Sequence, residues 1–411
     1  MKHLKNKLKL IILLLSILSI IACSGSDEYL KYTEGGEISY TGKIDSLKFY
    51  PGKNRVMVKG LIISDPKVTE LRVYWNNKAD SVVVPINRTN GIDVVSSIIP
   101  NLPENIYNFQ VKTFDAKGNG SVVQDKTTQV YGERYEASLS DRKIASSSLS
   151  SSLSLIINFA TMDLTTGAYA TEVVYTDKFD VVHTVTIPVA TSQVTIPNYK
   201  IGSQFKQRSL FLPVPTSIDT FYTDFVSKVP EVIDLSYMIK NSAVPFKASS
   251  SSGRWGILAD WTTNDAAKNH GGYGGWDEWS TGLFNLESGW GAPLITNGKV
   301  YQTLTLEAGT YTYKANPRVN GSGLDSGYTI SDFVYFTVAA GKTLPNSAAG
   351  VLETDPLTIG FKRIIKTMSS TSVEVTFTLA QTKEVSLGIA TTQGDARYCN
   401  ILSFNLFKNN K

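Results

Sequence analysis

Five of the chain's six tryptophans fall within residues 255–290: Trp255, Trp261, Trp276, Trp279 and Trp290. Among them stand Asn264, Asp265, Asn269, His270, Tyr273, Asp277 and Glu278, with Gly271, Gly272, Gly274 and Gly275. Flat rings beside planar amides and carboxylates suit a saccharide. The ring face packs on the axial C–H face of a pyranose, and Asn and Asp chelate hydroxyl pairs. Gly-rich sequence does not build regular strands, so the stretch reads as a long loop that presents aromatics and lets backbone approach a ligand. Trp261, Tyr273, Trp276 and Trp279 are the candidate platforms. Asn264, Asp265 and Asp277 are the candidate hydroxyl partners. Trp255, inside the strand-like run 254–258, and Trp290, before Gly291-Ala292-Pro293, read as core residues. Trp276 and Trp279 suit a core plug or an exposed platform about equally.

Other chemistries find less support. The sequence has no Gly-x-Ser-x-Gly elbow, His-Glu-x-x-His pair or phosphate loop. Its histidines are His3, His183 and His270, and its cysteines Cys23 and Cys399, which excludes a multi-cysteine zinc site and a disulfide framework. His183 lies mid-strand on an exposed face, and Cys399 reads as a small buried hydrophobe. Asp277 and Glu278 are chain neighbours, so on a strand they point to opposite faces and make no glycosidase pair. No acidic loop is rich enough to predict a calcium site, and no cofactor is expected. The reading is a binding protein, not an enzyme. Of the 40 basic residues, Lys2, Lys5, Lys7 and Lys9 lie in residues 1–22; the rest equal the 36 acidic ones. A neutral remainder argues against nucleic acid as a partner.

Those four lysines form a basic head. Residues 11–21 are apolar apart from Ser16 and Ser19, too short for a comfortable membrane span, and end in Ile20-Ile21-Ala22-Cys23. This resembles the bacterial lipoprotein signal, which implies lipidation at Cys23 after removal of residues 1–22. Several acyl chains on one residue give a stable anchor. Ser24-Gly25-Ser26-Asp27-Glu28 follows as a solvated tether, residues 23–34. It resembles the acidic post-Cys signal of surface lipoproteins in Bacteroidetes-type bacteria, which implies an outer-membrane protein facing the exterior.

The rest must position the aromatics. Runs such as 55–61, 71–75 and 107–114 alternate apolar and polar residues between Gly, Pro, Asn and Asp, the pattern of antiparallel strands with one buried face. Val73-Tyr74-Trp75-Asn76-Asn77-Lys78 is echoed by Val174-Tyr175-Thr176-Asp177-Lys178, and Ile99-Pro100-Asn101-Leu102 by Ile196-Pro197-Asn198-Tyr199. The offset of about 100 residues is one immunoglobulin-sized sandwich. Leu102-Pro103-Glu104-Asn105-Ile106-Tyr107, then Gly118-Asn119-Gly120-Ser121, resemble a fibronectin type III module, which implies a tyrosine corner at Tyr107 and a hairpin end at residues 118–121. In the second module Pro213 and Pro215 fall where the last hairpin belongs, so its final strand reads as irregular or an edge. The serine-rich stretch 146–154 reads as a loop feeding a strand, and Ser249 to Ser252 as a connecting loop. The tandem resembles the paired fibronectin-like module of Bacteroidetes-type surface lipoproteins, which implies a spacer. After Pro293 the strand-like runs 299–306, 308–313, 333–338, 373–379, 384–390 and 399–406 resemble the galactose-binding-like jelly rolls of carbohydrate-binding modules.

The sequence therefore predicts an all-β chain: two immunoglobulin/fibronectin III-like sandwiches, residues 35–132 and 133–232, a linker at 233–252, and a jelly-roll β-sandwich at 253–411. The expected role is polysaccharide or oligosaccharide binding at the cell surface within a glycan-uptake system. The other reading is a structural or adhesive protein that binds a protein partner. Cys23→Ala should release the protein from membranes and abolish incorporation of labelled palmitate; retention of both would refute the anchor.

Overall fold

The computed structural model describes residues 39–318, 333–347, 350–364 and 372–410, with 7–9 and 11–12. Cys23 and the tether lie outside these residues. Among the described residues no helix is long and apolar enough to cross a membrane. The chain divides into two compact units, Met1–Ser138 with Leu212–Phe221, and Leu139–Phe211 with Tyr222–Lys411.

The first unit holds β1 (Asp45–Pro51), β2 (Val56–Ile62), β3 (Val68–Trp75), β4 (Asp80–Pro85), β5 (Asp93–Ile99), β6 (Asn105–Asp115) and β7 (Gln124–Val130). They form two antiparallel sheets, β1-β2-β5 and β4-β3-β6-β7, the strand order of a fibronectin type III sandwich. Alternation places Val56, Val58, Leu71, Val73, Phe109 and Val111 in one core, where Phe49 stacks on Phe109 at 4.7 Å. Tyr107 donates its hydroxyl to the Pro103 carbonyl at 3.0 Å, the tyrosine corner. Asp115 Oδ1 accepts the Lys117 and Asn119 amides and fixes the turn after β6. Helix α1 (Glu133–Ala137) also belongs here. The returning segment brings Asp219, whose Oδ2 accepts from the Lys53 amide and Arg55 Nε. Residues 133–138 and 212–221 thus group with the first sandwich and not the second.

The second unit begins with β8 (Ile144–Leu149), β9 (Leu155–Phe159), β10 (Ala168–Thr176), β11 (Val182–Pro188), β12 (Gln193–Ile196) and β13 (Phe205–Phe211). After β14 (Phe221–Tyr222) come β15 (Val226–Lys228) and β16 (Val232–Asp234). Sheets β12-β9-β8 and β11-β10-β13-β15 repeat the fibronectin order. The last strand, β15, is three residues long and pairs with β13 at the edge of its sheet, one of the two forms, irregular or edge, expected from Pro213 and Pro215.

The remaining strands are β17 (Ala248–Ser252), β18 (Trp255–Leu258), β19 (Thr262–Thr263), β20 (Gly275–Asp277), β21 (Leu283–Ser288), β22 (Ile295–Leu306), β23 (Gly309–Pro317), β24 (Phe333–Ala340), β25 (Thr358–Arg363), β26 (Val373–Leu379), β27 (Lys383–Gln393) and β28 (Arg397–Asn409). Helix α2 (Val351–Thr354) precedes β25. One sheet runs β26-β23-β28-β21-β20-β18-β17 and the other β19-β22-β27-β24-β25. Between them Phe284, Phe336, Tyr313, Ile401 and Phe404 form the core of a jelly-roll sandwich.

Three serine-rich or linker segments differ from their sequence reading. Residues 146–149 belong to β8, with Ser147 and Leu149 buried. Ser249 to Ser252 belong to β17, an edge strand that pairs through its backbone with β18 and needs no apolar period. The expected linker is folded: Val232 in β16 lies between Ser148 of β8, in parallel, and Asn409 of β28, antiparallel. Ile233 enters the second sandwich's core, while Ile239 and Phe246 enter the jelly roll's. One sheet therefore continues from the second sandwich into the third. Limited proteolysis of the intact chain should spare residues 232–252, and the second unit should unfold in one calorimetric transition. A fragment starting at residue 250 should be molten, since β28 loses β16 and the core loses Phe246.

Candidate ligand-binding site

The tryptophan stretch is a compact fold, not a long loop. Gly274 and Gly275 are buried. A Cβ at Gly274 would strike the Ala267 carbonyl oxygen, and Gly275 has φ of 90°, so both glycines serve close chain packing. Trp261 is buried against Phe284 and Phe404 and donates Nε1 to the Asn241 carbonyl at 3.0 Å. Trp276 packs on the same core and donates Nε1 to the Phe246 carbonyl at 2.8 Å. Neither is a ligand platform. Asn264 caps a short 3-10 turn: its Oδ1 accepts the Ala267 and Lys299 amides and its Nδ2 donates to the Asn297 carbonyl. Asp265 is fully exposed and pairs with Lys268 at 3.3 Å. Tyr273 closes a tight turn with His270. These five candidates do not converge.

Asp277 and Trp279 do. β21 sends Phe284 and Leu286 into the core, so Leu283, Asn285 and Glu287 face the other side of the sheet. β28 sends Cys399 and Ile401 inward, so Tyr398 and Asn400 face out beside them, in register as Asn285↔Asn400 and Glu287↔Tyr398. Asp277 follows Trp276 on β20 and joins that outer face. Trp279, 76% exposed, and Trp290, 61% exposed, stand over this floor and bound a cleft of about 400 Å³, with Arg254 and Arg318 also in its walls. Trp290, expected in the core, has φ of 48° between two left-handed glycines, Gly289 and Gly291. A bulky residue adopts that conformation at a cost, and the turn holds its ring outward.

Arg254 organises the cleft. Its Nε donates to Asp277 Oδ1 at 3.0 Å, and its Nη2 donates to Asp277 Oδ2 at 2.6 Å and Glu287 Oε2 at 3.1 Å. Its guanidinium lies 4.0 Å over the Trp279 ring and 4.2 Å over Trp255, which stacks at 3.6 Å on His270. Trp255 thus sits in a layered stack outside the core. Burial pushes the Asp277 carboxyl up, but Arg254, the Trp279 amide and Asn285 more than offset it and hold its pKa below the usual range. Burial lowers the His270 pKa. The Arg254 guanidinium therefore holds the Asp277 carboxyl as an anion and also pairs with Glu287, an arrangement suited to binding hydroxyls. Asn285 is 2% exposed, and its Oδ1 has no hydrogen-bond partner among the described residues. An orphaned buried acceptor facing a cleft is a position for a ligand donor. Sequence reasoning passed over Arg254, Asn285, Glu287, Arg318, Tyr398 and Asn400, and it assigned Trp290 to the core. The signals available were Gly-Trp-Gly at residues 289–291 and polar residues alternating with Phe284 and Leu286.

Two family models match the chain. Residues 23–221 match DUF4998 and residues 240–388 match DUF5013, each described as a domain of unknown function. No curated protein matches. Among solved structures, the chicken CNTN1 FN1-FN3 domains are 12% identical, cover 47% of this chain and 67% of their own, and superpose with a TM-score of 0.27. A two-domain fibronectin type III segment of chicken tenascin is 11% identical over 46% and 98%, with a TM-score of 0.20. The K3 cleaved adhesin domain of Lys-gingipain from Porphyromonas gingivalis W83 is 18% identical over 36% and 91%, with a TM-score of 0.23.

Denaturant unfolding should separate the tryptophans. Trp261→Ala and Trp276→Ala should each cost about 3–5 kcal/mol. Trp279→Ala should cost about 1 kcal/mol or less, the value of an exposed cation–π contact.

Proposed function

We propose that this is a lipid-anchored surface protein that binds carbohydrate in the cleft between Trp279 and Trp290. The observation that supports it is the pairing of two exposed indoles with a floor of planar polar groups: Asp277, Asn285, Glu287 and Asn400. Indole faces accept the apolar side of a pyranose, and the floor supplies hydroxyl partners whose geometry is fixed before the sugar arrives. The lipoprotein-like sequence at Cys23 supports an outer-membrane location facing the exterior. The two fibronectin-like sandwiches, as spacers, carry the cleft away from the bilayer to meet polysaccharide for an uptake complex. Binding, without a chemical step, is the role that the Arg254-held carboxylates support.

The test is a glycan array probed with the full chain carrying Cys23→Ala. Binding of a defined oligosaccharide is expected. Trp279→Ala and Trp290→Ala should each weaken it by about 30-fold, the effect of a hot-spot residue, with melting nearly unchanged. A parent protein that binds no glycan would leave the structural or adhesive reading, with a protein partner, in its place.

A further inference from the structure

A second cavity lies in the second unit, away from the tryptophan cleft. It measures about 340 Å³, and its lining includes Asp141, Arg142, Lys143, Gln207, Lys228 and Glu231. Arg142 is 3% exposed. Its main chain is fixed on β13, where its amide donates to Ser209 Oγ at 2.8 Å and its carbonyl accepts from Gln207 Nε2 at 2.9 Å. The guanidinium lies 4.6 Å over the Phe159 ring, and Nε donates to the Ala160 carbonyl at 3.0 Å. There its bonding stops. Nη1 is buried and has no partner among the described residues. Burial lowers the Arg142 pKa. Asp141, in the same wall, has Oδ1 engaged by the Ser209 amide and hydroxyl and by Thr223.

A buried charge without a counter-charge is costly, and chains retain one where something compensates it. A guanidinium fork fits a planar carboxylate through two parallel hydrogen bonds. Gln207, also 3% exposed, adds a second requirement: its Oε1 is buried without a partner among the described residues, so it needs a donor. Lys143 and Lys228, with Arg142, bring three basic groups against the two carboxylates of Asp141 and Glu231, and Val226 and Val229 add an apolar wall. The volume lies in the range of small-molecule sites.

We propose that this cavity binds a hydroxycarboxylate of the uronic-acid class. The carboxylate sits on the terminal nitrogens of Arg142, and a neighbouring hydroxyl donates to Gln207 Oε1. The site makes the second sandwich a reader of acidic sugars as well as a spacer, and it stands whether or not the tryptophan cleft binds glycan.

The test is thermal melting of the full chain, carrying Cys23→Ala, titrated with D-glucuronate, D-glucose or inorganic phosphate at constant ionic strength. Glucuronate should raise Tm saturably; glucose and phosphate should not. Arg142→Met keeps the packing on Phe159 and removes the charge. It should abolish the response and melt no lower than the parent in ligand-free buffer. Gln207→Glu, which supplies a carboxylate from within, should also abolish the response with an unchanged circular dichroism spectrum. The Trp279→Ala, Trp290→Ala double variant should keep it. No saturable rise in the parent, a response retained by Arg142→Met, or an equal response to phosphate would each overturn the assignment. So would an Arg142→Met protein clearly less stable than the parent without ligand, because the charge would then be compensated inside the molecule.

Discussion

The second unit depends on how one strand is paired. β28 is 13 residues long and hydrogen-bonds to three partners: β16, β21 and β23. Its inward side chains, Cys399, Ile401, Phe404 and Leu406, join the jelly-roll core. Its outward Tyr398 and Asn400 form part of the cleft floor. Its end binds β16, which in turn pairs with β8 of the preceding sandwich. Core, cleft and continuity with the second sandwich are thus three consequences of a single register. A one-residue slip would exchange core and cleft residues. Cys399 is fully buried on the inner face, and that burial pushes its thiol pKa up to about 12.

On the outer face the organising element is the Arg254 guanidinium. It pairs with both Asp277 and Glu287 and lies against two indole rings. Charge and stacking reinforce each other here. A buried carboxylate pair would repel, and an isolated Trp279 would rotate freely in solvent. The arginine fixes both, so a ligand would meet an ordered surface. In the second sandwich Arg142 presents a different case, a guanidinium with an aromatic beneath it and an Nη1 that has no hydrogen-bond partner among the described residues. The two sites differ in the sign of what is missing: a donor at Asn285 and an anion at Arg142.

The strands and the tandem repeat were legible because alternation at period two is a local property, and Val56, Leu71, Phe109 and Phe336 carry it without help from distant sequence. The cleft was not. Its walls come from the start of β18, the turn after β20, the Gly289–Gly291 turn and β28, and only the sheet register brings them together. Trp261 and Trp279 sit in similar composition, yet one lies over Phe284 and the other over Arg254. Asn264 illustrates a second limit. An amide suited to a sugar hydroxyl is equally suited to a turn, and the turn is nearer. The serines of β17 mislead for a related reason: strand pairing is a backbone property, and an edge strand can be made of residues with no apolar signal.

That serine edge bears on how copies of this protein behave at high local density. An open sheet edge is a template on which another chain can add a strand. Lasting addition requires a dry interface of interdigitated apolar side chains, and β17 presents hydroxyls instead, with Ser249 Oγ turned to the Ile257 carbonyl of its own partner strand. The composition that hides β17 from sequence inspection thus also leaves its edge without the apolar side chains that would stabilise an added strand.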